Sequence, residues 1–180
     1  AQILRGNVVF RHDNALMYCD SAYFYEYTNS LDAFGHVRFV QGDTLRGYGD
    51  KLFYDGNTKL ARMRRNVRLV HGRENENPTI LTTDSLNYNR QSNIAYYYTG
   101  GTIQDTLNTL TSIRGTYSAN TKQAVFSKQV VLVNKKFTLR SDTLLYNTKN
   151  KITDIVSPTE IVYEKETNIH TSRGWYNTNN

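Results

Sequence analysis

Four aspartates, Asp20, Asp50, Asp84 and Asp142, recur at one position of a repeated phrase. A row of carboxylates is what acid–base catalysis or calcium binding would use. The pattern favours neither. A catalytic pair needs two carboxylates in different environments, whereas a ladder repeats one environment, and Ile113 holds the position in the fourth copy. The Gly-Gly-x-Gly-x-Asp phrase of calcium-binding nonapeptide repeats is absent. The expected role is structural, each aspartate opening a strand by bonding backbone at a turn.

The other reactive residue types are equally dispersed. His12, His36, His71 and His170 include no His-x-x-x-His pair of a zinc helix, and they read as exposed residues at strand edges. No serine sits in Gly-x-Ser-x-Gly. Gly47-Tyr48-Gly49-Asp50 lacks the last glycine of a dinucleotide loop and the helix that follows one. The single cysteine, Cys19, cannot form an intramolecular disulfide and makes a metal–thiolate site improbable. The reading is therefore no enzyme, no metal and no cofactor.

The elements that carry these residues come from a repeat. Copies begin at Gly6, Gly35, Arg65, Gly100, Lys128 and Ser157, with successive steps of 29, 30, 35, 28 and 29 residues. A second ruler of 4, 7 and 4 residues holds in Asp20-Phe24-Leu31-Gly35, Asp50-Tyr54-Ala61-Arg65, Ile113-Tyr117-Ala124-Lys128 and Asp142-Tyr146-Thr153-Ser157. The third copy keeps Asp84-Tyr88-Ala95 and is lengthened around the polar string Arg73-Glu74-Asn75-Glu76-Asn77-Pro78, which belongs in a solvent-exposed loop. Stacked copies of one small β unit bury a continuous core between neighbours. The expectation is a single repeat domain over 1–180, of about six units, that can belong to a longer chain.

Each copy reads as three short strands, because apolar and polar residues alternate at period 2. Val8/Phe10, Val37/Phe39, Val67/Leu69 and Val130/Leu132 share a face in the first run, with Asn7, His36, Arg38, Asn66 and Arg68 opposite. The second run places Ala22/Phe24, Leu52/Tyr54, Leu86/Tyr88 and Leu144/Tyr146 on that dry face, and the third adds Leu31/Ala33, Ala61/Met63, Ala95/Tyr97 and Ala124/Phe126. Turns with left-handed or capping residues separate them: Asp55-Gly56-Asn57-Thr58, Asn89-Arg90-Gln91-Ser92-Asn93, Ser118-Ala119-Asn120-Thr121 and Asn147-Thr148-Lys149-Asn150. No stretch has a 3.6-residue period, so almost no helix is expected.

With 38% hydrophobic residues in short runs, no window is long enough for a transmembrane helix. The runs also fall short of the roughly 9–11 residues of an outer-membrane barrel strand. The net charge of +6 favours anionic partners without naming them. Fourteen tyrosines beside this charge raise single-strand nucleic-acid binding. Tyr54, Tyr88 and Tyr146 belong to the dry face, however, and Arg62, Arg64, Arg65 and Arg68 read as a solvated strand face and turn, so no nucleic acid is expected. No signal peptide is visible ahead of Ala1-Gln2-Ile3-Leu4.

The phrases GNVVF, GHVRFVQGDTLRGYGDKLFYD, NVRLV, LTTDSLNYN and LRSDTLLYN resemble the LptA/OstA family of lipopolysaccharide-transport proteins, in particular its OstA-like members, over Ile3 to Tyr176. The resemblance implies an all-β, antiparallel repeat-built β-jellyroll, the "β-taco". It implies an exported, periplasmic protein whose apolar groove holds acyl chains of lipopolysaccharide or a similar anionic amphiphile, moving it toward the outer membrane. The partners it implies are other Lpt-type β-jellyroll proteins, or the chain itself, joined end to end. The expected lipid-binding set is the inward one: Val8, Phe10, Val37, Phe39, Leu52, Tyr54, Ala61, Met63, Val67, Leu69, Leu86, Tyr88, Val130, Leu132, Leu144 and Tyr146. The family has no catalytic residues to carry over. The insertion near Asn75 and the many tyrosines depart from its commonest members.

Two other readings stand beside this one. A structural β-repeat module would use its interior as packed core and bind no lipid. A parallel β-helix acting on polysaccharide fits less well, because short Asn/Asp/Gly connections suit antiparallel neighbours.

Overall fold

The computed structural model describes residues 1–12, 14–73 and 75–177. All secondary structure among them is antiparallel β-sheet. The chain divides into two compact units, 1–92 and 93–180.

The first unit is a meander of long strands: β1 (Gln2–His12), β2 (Ala15–Tyr25), β3 (Ser30–Gln41), β4 (Leu45–Asp55), β5 (Leu60–His71) and β6 (Thr79–Asn89), each paired with the next. The turns follow from side chains that bond the backbone two or three residues on. Asp55 Oδ1 accepts from the backbone N–H groups of Asn57 and Thr58, and Asn89 Oδ1 accepts from those of Gln91 and Ser92. The polar string before β6 forms a loop, as expected; Glu74 within it lies outside the described residues.

One expectation needs correction. The runs read as separate short strands are halves of strands 11 or 12 residues long. The third run of one copy and the first run of the next form one strand, as Leu31 to Phe39 do in β3. Strand length therefore does not separate this chain from a membrane barrel, as the short runs had been taken to do.

What divides the halves is a bulge. Gly6-Asn7, Gly35-His36 and Arg65-Asn66 each have two successive left-handed residues, with φ between 44° and 79°. In the ladder, Gly35, His36 and Val37 lie between Phe34, paired with Ser21, and Arg38, paired with Tyr18, where β2 has only Asp20 and Cys19; with Val37 beside Cys19, Gly35 and His36 share Asp20. Two residues therefore face one. An extra residue bends its strand and increases the local twist. The same offset recurs across every pair of the first unit, so each strand bends at one level and the sheet has two walls joined along a fold line.

The aspartates are the single residues opposite these bulges. Asp20, Asp50 and Asp84 lie in the middle of β2, β4 and β6 and do not open them, which corrects their expected place. Asp20 Oδ2 lies 2.7 Å from His36 Nδ1, and Asn66 Nδ2 donates to Asp50 Oδ2 at 2.9 Å.

The second unit follows the same plan with the fold line broken more often. Its strands are β7 (Ile94–Tyr97), β8 (Gly101–Gln104), β9 (Asn108–Ser112), β10 (Arg114–Ser118), β11 (Gln123–Asn134), β12 (Phe137–Asn147), β13 (Ile152–Ile155), β14 (Thr159–Tyr163), β15 (Thr167–Thr171) and β16 (Gly174–Asn177). One wall runs β7-β10-β11-β12-β13-β16, and the other runs β8-β9-β11-β12-β14-β15. Only β11 and β12 cross between the walls, bulged where Lys128 and Gln129, both left-handed, oppose Asp142. Elsewhere the chain leaves strand geometry at the fold line, at Gly100, Ile113, Ser157-Pro158 and Ser172-Arg173. Proline has no N–H for a ladder, which suits it to such a break.

Candidate functional site: the inner faces of the two walls

Period-2 alternation resumes on each side of the bulge with apolar residues on the inside. In the first unit Val8, Met17, Cys19 and Val37 from one wall pack in one cluster with Ala22, Leu31, Ala33, Leu52, Met63 and Leu86 from the other. The expected inward residues Val8, Val37, Leu52, Met63, Val67 and Leu86 are all buried there. Phe10, Phe39, Tyr54, Ala61 and Leu69 are partly buried against the same cluster, and Tyr88 is half-buried.

Burial is graded with distance from the fold line. Ala22 and Ala33, beside it, have no exposed surface. One cross-strand row out, Phe24, Tyr54 and Ala61 are half-buried beside buried Leu31 on one wall, and Phe10, Phe39, Leu69 and Leu81 beside buried Met17 on the other. The inner surface is therefore a wedge, closed at the fold line and partly open along its outer rows. Within one wall, the ring of Phe39 lies over its cross-strand partner Gly47 and occupies the space a side chain there would need.

The second unit seals its fold line with larger groups and polar pairs. Val130, Leu132 and Leu144 are buried, with Leu110, Ala124, Phe126, Leu139 and Ile155, while Tyr146 and Tyr117 are half-buried beside them. Tyr97 lies over Gly101 and Gly115, and its hydroxyl is 2.7 Å from Ser112 Oγ, which donates to the Arg114 carbonyl. Thr159 Oγ1 donates to Ser141 Oγ, 2.8 Å from Ser157 Oγ. No buried side-chain nitrogen or oxygen among the described residues lacks a partner. Buried polar groups are costly unless paired in this way.

Met17, Leu81, Leu110 and Leu139 belong to the inner faces but were missed in the sequence. Each lies three residues before the aspartate position, which is Ile113 in the fourth copy, in stretches that had been read as connections. The alternation was present in Leu16-Met17-Tyr18-Cys19 and Thr138-Leu139-Arg140-Ser141, and only the assumed strand boundary hid it.

The outward groups are solvated. Tyr27 and Tyr98 are exposed, whereas Tyr23, Tyr25 and Tyr96 are half-buried. Arg62, Arg65 and Arg68 are exposed, and Arg64 bonds the Met63 and Leu86 carbonyls and the Asn87 side chain. Among the described residues no three histidine, cysteine or carboxylate groups converge as metal ligands. Among the described residues no helix is long and apolar enough to cross a membrane.

The Asp20–His36 pair has a measurable consequence. The hydrogen bond to Asp20, and then its charge, raise the His36 pKa above the ordinary imidazole value. A raised folded-state pKa gives stability that is complete below the unfolded value and lost as pH rises through the folded one. Asp20→Asn should lower the His36 midpoint in an imidazole NMR titration. It should destabilise the protein only in mildly acidic buffer, and an equal effect in alkaline buffer would assign the loss to the bulge backbone instead.

Three comparisons bear on this geometry. The family described as OstA-like protein matches residues 1–142. No curated protein matches the chain. Among solved structures, the chain is similar to LptH of Pseudomonas aeruginosa, titled the LptA homologous periplasmic component of the conserved lipopolysaccharide transport device. The identity is 12% and the TM-score 0.38, over 77% of this chain and 79% of that one.

Proposed function

From the membership of this chain in the OstA-like protein family, we propose that it binds lipopolysaccharide or a similar anionic amphiphile by its acyl chains, in the periplasm, and helps move it toward the outer membrane. The observation that carries the reading is the graded wedge. Its outer rows, with Phe10, Phe39 and Leu69 on one wall and Phe24 and Tyr54 on the other, keep apolar surface partly in water. An acyl chain laid along them gains about 0.8 kcal/mol per buried methylene, so affinity needs no specific polar contact. The inward set from Val8 to Tyr146 is the lipid-facing surface in this proposal, with the whole chain acting as one repeat array. End-to-end partners of the same fold, or a second copy, belong to the same proposal. No catalytic step does.

The rival reading, a structural module without lipid, draws on the solid packing at Ala22, Ala33 and Leu144, where no room is left. Neighbouring residues of β4 separate the two. A photo-crosslinking residue at Tyr54, which faces inward, should capture an acylated amphiphile when the protein is expressed with export to the periplasm. The same residue at Phe53, which faces outward, should not. Equal yields at the two positions, or none at Tyr54 with no lipid in native mass spectra, would leave the interior as packed core.

A further inference from the structure

The outward face of one wall of the first unit has a composition that the groove does not explain. This wall comprises the halves of β1 to β6 on the Val8, Val37 and Val67 side of the bulges. Its central cross-strand row pairs Val9, Tyr18, Arg38, Tyr48, Arg68 and Thr82 in turn. Aromatic rings and guanidinium groups alternate along it, with Arg38 4.9 Å from the Tyr18 ring centre and Arg68 5.8 Å from that of Tyr48. Arg38 and Arg68 remain exposed, and Val9 is 53% exposed.

The next row out adds Arg11 and Arg46 between aliphatic side chains, with Leu16, Val40 and Ile80 half-buried and Val70 already covered. Neither row holds a carboxylate. The carboxylates nearest in sequence are at the bulges and the turns. Asp20 and Asp50 are bonded to His36 and Asn66, Asp43 is paired with Arg73, and Asp84 is exposed at its bulge. The outward face of the other wall is mixed, with Asp32 and Asp55 beside Lys51, Arg62 and Arg64. Six strands of about five residues span roughly 24 Å by 16 Å.

We propose that this face docks the protein on the surface of an anionic lipid bilayer. Charge complementarity supplies attraction to acidic headgroups, and tyrosine and arginine suit the interface because each has an apolar body and a polar tip. The aliphatic row decides between partners. A soluble polyanion would use the arginines and leave Val9, Leu16, Val40 and Ile80 in water, whereas the headgroup boundary takes up both kinds of group.

The test is sedimentation of the full chain with vesicles of phosphatidylglycerol and phosphatidylethanolamine, against vesicles of phosphatidylcholine alone. Binding to the anionic vesicles, weakened by salt, is expected. Each arginine near an acidic surface contributes about fivefold in affinity, so Arg38→Gln with Arg68→Gln should lose roughly 25-fold. Lys59→Gln with Arg62→Gln, exposed at a turn and on the outward face of the other wall of the same unit, removes the same charge and should lose less than about threefold. Thermal unfolding checks that the variants fold, and a salt titration of the unaltered protein reads the electrostatic share without mutation. Equal losses in the two double variants would reduce the effect to net charge and overturn the docking face. So would binding to soluble polyphosphate with no preference for anionic vesicles. These results do not depend on an acyl chain in the wedge, because crosslinking at Tyr54 reads that separately.

Discussion

Replacing Leu52 with aspartate is expected to destabilise the protein by about 4 kcal/mol or more, through a charge with no partner in an apolar cluster. Leu52 is 8% exposed and lies between Ala33 and Met63 in the ladder. The next residue makes the comparison sharp. Lys51 points outward, 5.8 Å above the Phe34 ring and paired across the ladder with Arg64. Lys51→Asp gives up a weak contact and gains an arginine opposite, so its cost should stay within about 0.5 kcal/mol. Urea unfolding of both variants measures the difference. Similar midpoints would mean that the inner and outer faces of β4 have been exchanged.

Gly115→Ala is expected to cost about 3 kcal/mol, a large effect for one methyl group. A Cβ at Gly115 would fall on the ring of Tyr97, which also covers Gly101. The ring must move, and the hydroxyl then loses Ser112. Overpacking and an unpaired buried hydroxyl each cost about 1–3 kcal/mol. Adding Tyr97→Leu should recover most of the loss, because Ser112 keeps its bond to the Arg114 carbonyl. A double-mutant cycle with no coupling between the sites would show that the ring does not depend on the glycine.

Much of the fold could be read directly. The alternation of Val37 and Phe39 with Arg38, or of Leu52 and Tyr54 with Phe53, assigns each side chain to a face because strand geometry has a period of 2. Asp55, Asn89 and Asn147 mark turns because their side chains bond backbone a few residues on, which local sequence is enough to specify. The inward set came from the same parity and lies on the inner faces throughout.

The bulges were harder to see. Gly35-His36 and Lys128-Gln129 look like strand starts, since glycine and the polar residues after it usually punctuate strands. Their real place is mid-strand, opposite one aspartate, and that is a property of the pairing between two strands, not of either alone. This also explains why the aspartates recur: each faces two left-handed residues across the ladder.

The repeat, the faces of its strands, its turns and its family membership were therefore determined by sequence, because each depends on interactions over a few residues or on a spacing that can be counted. Tertiary structure alone decided that the short runs join into bent strands, that the two walls close on Ala22 and Ala33, and that the rows of Phe39 and Tyr54 stay partly open. The depth of a wedge depends on how side chains from distant copies fill the space between two sheets, and no local pattern encodes that sum.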